Sequence, residues 1–139
     1  MGQIVVGYDG SASGDAALDA ALELAGKLGD KVVAVFGYAP PGLWGGEIAE
    51  HEEAIEELGE KVMAGAKARA AERGVEIETR LVAKRAAEAL IEVADERDAR
   101  MIVVGSFGDP PLKGVILGST PNKLLHLADR PILVVPAKS

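Results

Sequence analysis

The sequence predicts an open α/β fold, a doubly wound parallel sheet of five strands alternating with four helices. Three observations lead there. Short β-branched apolar runs recur along the chain, separated by stretches with helical periodicity. Most of these runs are continuous rather than alternating, as in strands covered on both faces. Regular alternation of strand and helix requires crossover connections, which pair the strands in parallel. At 139 residues the chain is expected to form one domain, residues 1–139, with a sizeable core.

Residues 3–8 form the first apolar run, and Asp9-Gly10-Ser11 is the turn that follows. Across residues 12–28, Ala17, Leu18, Ala21, Leu24, Ala25 and Leu28 recur at three-and-four spacing and define one helical face. Ser11 or Ser13 is the candidate cap, Asp15 suits the first turn and Gly29 is the stop. Residues 31–38, around Val32-Val-Ala-Val-Phe36, are the second strand. Residues 39–46 are rich in breakers and form a loop that carries Trp44, the only tryptophan. The helix expected over residues 47–73 has Ile55, Leu58, Val62, Ala66 and Ala70 as its buried stripe, and Gly59 and Gly65 each cost it about 1 kcal/mol relative to Ala. Residues 75–82 alternate apolar and polar, which places this strand at an edge of the sheet. Residues 86–96 are the third helix, with Ala86, Ala89, Leu90, Val93 and Ala94 on one side. Residues 101–104 are the fourth strand and residues 121–128 the last helix. Residues 131–136 are a short apolar strand bracketed by prolines, expected at the other edge, where an uncovered ladder invites pairing with a second copy.

A net charge of −7 repels polyanions, and aromatic residues make up only 4% of the chain, so nucleic acid is not an expected partner. Without cysteine there is no disulfide framework and no thiolate zinc site, which fits a cytoplasmic location. No run of about 18 apolar residues is present, so no membrane span is expected. The amino end lacks a basic region followed by an apolar stretch, so a cleaved signal is not expected either. His51 and His126 have no acid, nucleophile or second histidine at ligand spacing, which argues against a metal site or a triad.

The most informative stretch is Val104-Gly-Ser-Phe-Gly-Asp-Pro-Pro-Leu-Lys-Gly-Val-Ile-Leu-Gly-Ser-Thr120. It leaves an apolar strand, passes glycines at 105, 108 and 118, and enters a helix at which Pro121 suits the first position and Ser119 or Thr120 the cap. Such a helix start offers free N–H groups and the positive end of a dipole to an anion. The bland reading of the same residues is a long turn with a capped helix.

Gly105-x2-Gly108-x9-Gly118-Ser119 resembles the nucleotide signature of the ATP-binding branch of the universal stress protein family, and Val5-Val6-Gly7-Tyr8-Asp9-Gly10-Ser11 resembles that family's first strand and adenosine-contacting loop. The resemblance runs through nearly the whole chain. It implies a Rossmann-like sheet in the order 3-2-1-4-5, whose winding switches between strands one and four, where such sheets bind ligands. It further implies that Asp9 meets a ribose hydroxyl or adenine, that Gly7, Tyr8 and Gly37 offer backbone contacts, and that Val104 packs on the base. Gly105, Ser106, Gly108, Gly118, Ser119 and Thr120 then supply amides and hydroxyls to the phosphates, and Phe107 either covers the ligand or fills core. Two competing readings are an Asx-turn for Asp9 and a strand-end kink for Gly37. Asp109-Pro110-Pro111 departs from the family pattern and brings a carboxylate toward a polyphosphate. Lys113, or a magnesium or manganese ion near Asp109, would offset it.

The function expected on this basis is a regulatory, stress-response protein that binds ATP or another adenine nucleotide, forms a homodimer through residues 131–136 and has little or no catalysis. Slow ATP hydrolysis or autophosphorylation, and an interaction module without nucleotide, are the alternatives. Other doubly wound enzymes fit less well: Asp9-Gly-Ser-Ala-Ser-Gly14 lacks the dinucleotide glycine spacing, and no Walker lysine follows a glycine loop.

Overall fold

The computed structural model describes residues 2–38, 48–106 and 118–137, with side chains from residue 53 onward in the second of these segments. The elements are β1 (Gln3–Gly7), α1 (Ala12–Leu28), β2 (Lys31–Gly37), α2 (Ile48–Arg73), β3 (Ile77–Val82), α3 (Ala86–Arg97), β4 (Met101–Gly105), α4 (Ser119–Leu127) and β5 (Ile132–Val135). The five strands form one parallel sheet in the order β3-β2-β1-β4-β5. Among the described residues, no helix is long and apolar enough to cross a membrane.

The continuous apolar runs are explained by burial on both faces. Ile4 and Val6 of β1, with Tyr8 just after it, belong to a layer shared with α1 and α2, while Val5 belongs to a second layer with α3 and α4. β2 and β4 divide in the same way: Ala34 and Val103 face the first layer, Val33 and Ile102 the second. β3 is half-exposed for most of its length, as its alternation predicts, and β5 is half-buried throughout at the opposite edge.

Ser11 caps α1, its hydroxyl accepting from the Gly14 N–H at 3.0 Å, and left-handed Gly29 ends the helix. The stripe of α2 differs from the sequence expectation. Gly59, Met63, Ala66 and Ala70 are the buried positions, whereas Leu58 is 55% exposed. The cause is close approach to the sheet: a Cβ on Gly59 would lie 2.8 Å from Leu81 Cδ2, so the position read as a helix cost is where α2 touches β3. In α3, Ala87 rather than Ala86 is buried. α4 begins two residues earlier than expected, at Ser119, with Gly118 as N-cap and no side-chain cap, so Pro121 sits third in the helix and neither Ser119 nor Thr120 caps it.

Ion pairs fasten the amino ends of the strands. Asp30 is buried and accepts from the Gly2 N–H (2.9 Å) and from Arg100 Nε (2.6 Å), and Arg100 holds its carboxyl below the usual carboxylate range. Arg130 donates to the Ala94 and Ala99 carbonyls (3.1 and 2.8 Å) and pairs with Asp95 (2.8 Å). Glu78 accepts from both terminal nitrogens of Arg97 and from Lys31 Nζ (3.0 Å). Hydrogen bonds from Arg97, then from Lys31, outweigh burial and lower its pKa from 4.5 to about 2. A carboxyl depressed in this way adds stability above its unfolded value and loses it as pH falls toward about 2. Glu78→Gln is therefore expected to lower the melting temperature at pH 7 by about 2–4 °C and to flatten the loss of stability between pH 4.5 and about 2, as measured by thermal melts across that range.

Candidate functional site

The carboxyl ends of β1, β2 and β4 open into a crevice of about 230 Å³. It lies where the winding switches, since β1 connects through α1 to β2 on one side while β4 pairs with β1 on the other. Its apolar lining is Val35, Ala86, Leu90 and Val104 from the layer of α3, with Phe36 from the other face of β2. Its polar lining comes from Asp9 and Ser11 in the β1–α1 turn, Ser13 in the first turn of α1, and Ser119 and Thr120 at the start of α4. An apolar wall with a few convergent polar groups is the usual construction of a small-molecule site.

Two of the sequence-predicted residues owe their type to packing. The first turn of α1 rests on the end of β4 so closely that a Cβ on Gly105 would collide with Ser13 Oγ and lie 2.8 Å from the Ser13 carbonyl oxygen. A Cβ on Gly37 would lie 2.9 Å from both Ala86 Cα and the Lys84 carbonyl oxygen, so glycine here admits the β3–α3 connection. Both residues still line the crevice.

Asp9 is exposed, and its Oδ1 accepts from the Ser11 N–H (2.9 Å) and hydroxyl (2.5 Å), the Asx-turn arrangement. Gly7 sits between Leu90 and Val104 at the crevice floor. Tyr8 contributes to the lining, but its N–H donates to the Val35 carbonyl (3.0 Å) and its hydroxyl to Asp15 Oδ1 (2.7 Å) on the α1 side. Burial, with the Asp15 carboxylate, raises this phenol to about 12. Asp15 also pairs with Arg69 of α2 (3.2 Å), which holds Asp19 with two bonds (2.9 and 3.0 Å).

Val104, Gly118, Ser119 and Thr120 line the crevice, but Ser106 does not. It is buried, its N–H donates to the Val135 carbonyl (3.0 Å), and its carbonyl accepts from the Gly118 N–H (2.7 Å). That last bond joins the two ends of the 107–117 connection and sets α4 beside β4. Phe107, Gly108, Asp109, Lys113 and Trp44 lie outside the described residues. Sequence reasoning missed Ser11, Ser13 and Gly14 as crevice residues. The signal for them was available, because a cap at the switch point also lines it. Ala86 and Leu90 were read only as core.

A second recess, about 390 Å³, lies between α1, α2 and the end of β5. Its Arg69 and Arg73 are paired with Asp15 and Asp19 of the same recess, and its Glu23 pairs with Lys27 outside it. Among the described residues, no group of three His, Cys, Asp or Glu gathers to hold a metal ion.

Residues 1–136 match the model of the universal stress protein family. The chain belongs to that family. Universal stress protein YxiE of Bacillus subtilis is 36% identical over 88 residues, 63% of this chain and 60% of that protein, so the match spans less than two thirds of the relative's length. A crystal structure from the family, from Burkholderia pseudomallei, is 32% identical with a TM-score of 0.77 and covers 97% of this chain and 96% of its own. A universal stress protein solved in complex with cAMP is 30% identical, with a TM-score of 0.73 and coverage of 99% and 98%. The universal stress protein of Archaeoglobus fulgidus in complex with dAMP is 26% identical, with a TM-score of 0.72 and coverage of 97% and 98%.

The packing at Gly105 gives a direct test. Gly105→Ala is expected to cost about 1–3 kcal/mol of stability. Gly26→Ala, on an exposed stretch of α1 where the added Cβ would have only Val75 Cγ2 within reach, at 4.0 Å, is expected to be neutral or stabilising by up to about 1 kcal/mol. Urea denaturation midpoints of the two variants check the contrast.

Proposed function

We propose that this protein is a regulatory member of its family that binds an adenine nucleotide in the crevice and performs little or no catalysis of its own. The observation that carries the reading is one crevice joining an apolar wall to a helix start at the switch point of the sheet. Val104, with Leu90 and Ala86 behind it, suits a purine face, and Gly7, Tyr8 and Gly37 bring backbone close to it. Asp9 Oδ1 is engaged by Ser11, which leaves the other carboxylate oxygen to accept from a ribose hydroxyl or the base amine. The N–H groups and hydroxyls of Ser119 and Thr120 are the phosphate donors at the start of α4. The cAMP and dAMP complexes of relatives support the choice of ligand class. ATP is the nucleotide that the sequence resemblance implies, with any magnesium or manganese ion arriving on it.

Calorimetric titration with ATP, ADP, AMP and cAMP tests the reading. Saturable binding that Asp9→Ala and Ser119→Glu each weaken by about tenfold supports it. A flat titration with all four, from a folded protein, would move the function to an interaction module that uses the fold without nucleotide.

The same reading makes the protein a cytoplasmic homodimer paired through residues 131–136. β5 is a half-buried edge strand of four apolar residues, with one ladder open to a partner. Sedimentation equilibrium is expected to give twice the chain mass, and Val134→Pro, which removes a donor and stiffens the edge, is expected to shift the population to monomer.

A further inference from the structure

Resting on the adenine-nucleotide reading, we infer that Asp15, outside the crevice lining, is a positioning residue for the crevice: through the Tyr8 hydroxyl it fixes the β1–α1 turn for the ligand. Tyr8 follows β1 directly and precedes Asp9. It lines the crevice, yet it is only 6% exposed and belongs to the layer shared with α1 and α2. Its hydroxyl donates to Asp15 Oδ1 at 2.7 Å, and Asp15 lies in the first turn of α1. The bond therefore spans Asp9-Gly10-Ser11, the turn whose Asp9 and Ser11 line the crevice.

Bonds inside the turn are local. Asp9 Oδ1 accepts from the Ser11 N–H and hydroxyl, and the Ser11 hydroxyl accepts from the Gly14 N–H, around a left-handed Gly10 (φ 82°). The Tyr8–Asp15 bond instead ties the turn to α2, because Asp15 pairs with Arg69 (3.2 Å), which both oxygens of Asp19 hold (2.9 and 3.0 Å). α2 also approaches the turn itself: a Cβ on Gly10 would lie 3.5 Å from Val62 Cγ2. A carboxylate acceptor makes the Tyr8 bond one of the stronger kind. Burial, and then Asp15, push the phenol up to about 12, so it remains a donor at neutral pH. Without the hydroxyl, Asp15 keeps Arg69 and Arg69 keeps Asp19, so α1 and α2 stay fastened while the turn loses this brace. The ligand must then order the turn itself, and that cost is taken out of its affinity.

The test is calorimetric titration of the nucleotide-free protein with AMP, cAMP and ATP, the tightest of the three in the wild type then serving for the variants. Tyr8→Phe and Asp15→Ala are each expected to weaken binding by about threefold or more. The double variant should bind no worse than the poorer single, since both changes remove the same bond. Asp15→Asn keeps an acceptor for the phenol and should bind within about twofold of the wild type. Glu78→Gln, at the amino ends of the strands, should melt lower yet keep wild-type affinity, which separates positioning from a general loss of stability. Wild-type binding by Tyr8→Phe, losses that multiply in the double variant, Asp15→Asn as weak as Asp15→Ala, or Glu78→Gln as weak as Tyr8→Phe would each overturn the positioning role and leave the nucleotide reading intact. Saturation of the wild type by none of the three would instead bring down the nucleotide reading, and this inference with it.

Discussion

The first turn of α1 rests on the last residue of β4, and the arrangement of the crevice depends on that contact. Ser13 is buried against Gly105, so the helix after β1 starts directly above the strand that pairs with β1 on its other side. Asp9, Ser11 and Gly14 are carried along and become one rim of the crevice. The Gly118 N–H bond to the Ser106 carbonyl then brings the start of α4 to the same crevice. Residues nearly a hundred positions apart share one crevice because position 105 carries no side chain to hold the first turn of α1 away from β4. A Cβ at position 105 would push the first rim away and widen the crevice, even with every polar group retained.

Strand positions were legible in the sequence because double-sided burial leaves a plain mark. Val5-Val6, Val32-Val33 and Ile102-Val103 are each split between the two core layers, so both residues of a pair must be apolar. The edge position of β3 was legible for the opposite reason, since a half-exposed strand alternates. Less legible was the meaning of glycine. Gly59 reads as a weak point in a helix and is where α2 meets Leu81; Gly105 reads as a ligand contact and is also a seat for Ser13. Propensity and motif both describe a residue by itself, whereas these two positions are decided by what approaches them from elsewhere in the chain.

Proline was misread at the start of α4 for a related reason. Its ring suits any position of the first turn, since none of the N–H groups there has a helical partner, and the sequence alone does not choose among them. The choice matters to the chemistry of the site. With Pro121 third in the helix and the Gly118 N–H held by the Ser106 carbonyl, the amides left at the helix start are those of Ser119 and Thr120, next to hydroxyls that do not cap it. The family signature was legible as glycine and serine spacing, but the number of donors it leaves available had to come from the structure.

Tight ion pairs and the open crevice lie at opposite ends of the sheet. Asp30–Arg100, Glu78–Arg97–Lys31 and Arg130–Asp95 all sit where the strands begin, and the crevice sits where they end. The two ends are therefore free to diverge at different rates. Exchanges among Asp9, Ser119 and Thr120 leave the fastenings at the other end untouched, so a lineage can retune what the crevice accepts without first acquiring compensating changes in the scaffold. A shared framework whose members answer to different small molecules is the natural outcome of that separation.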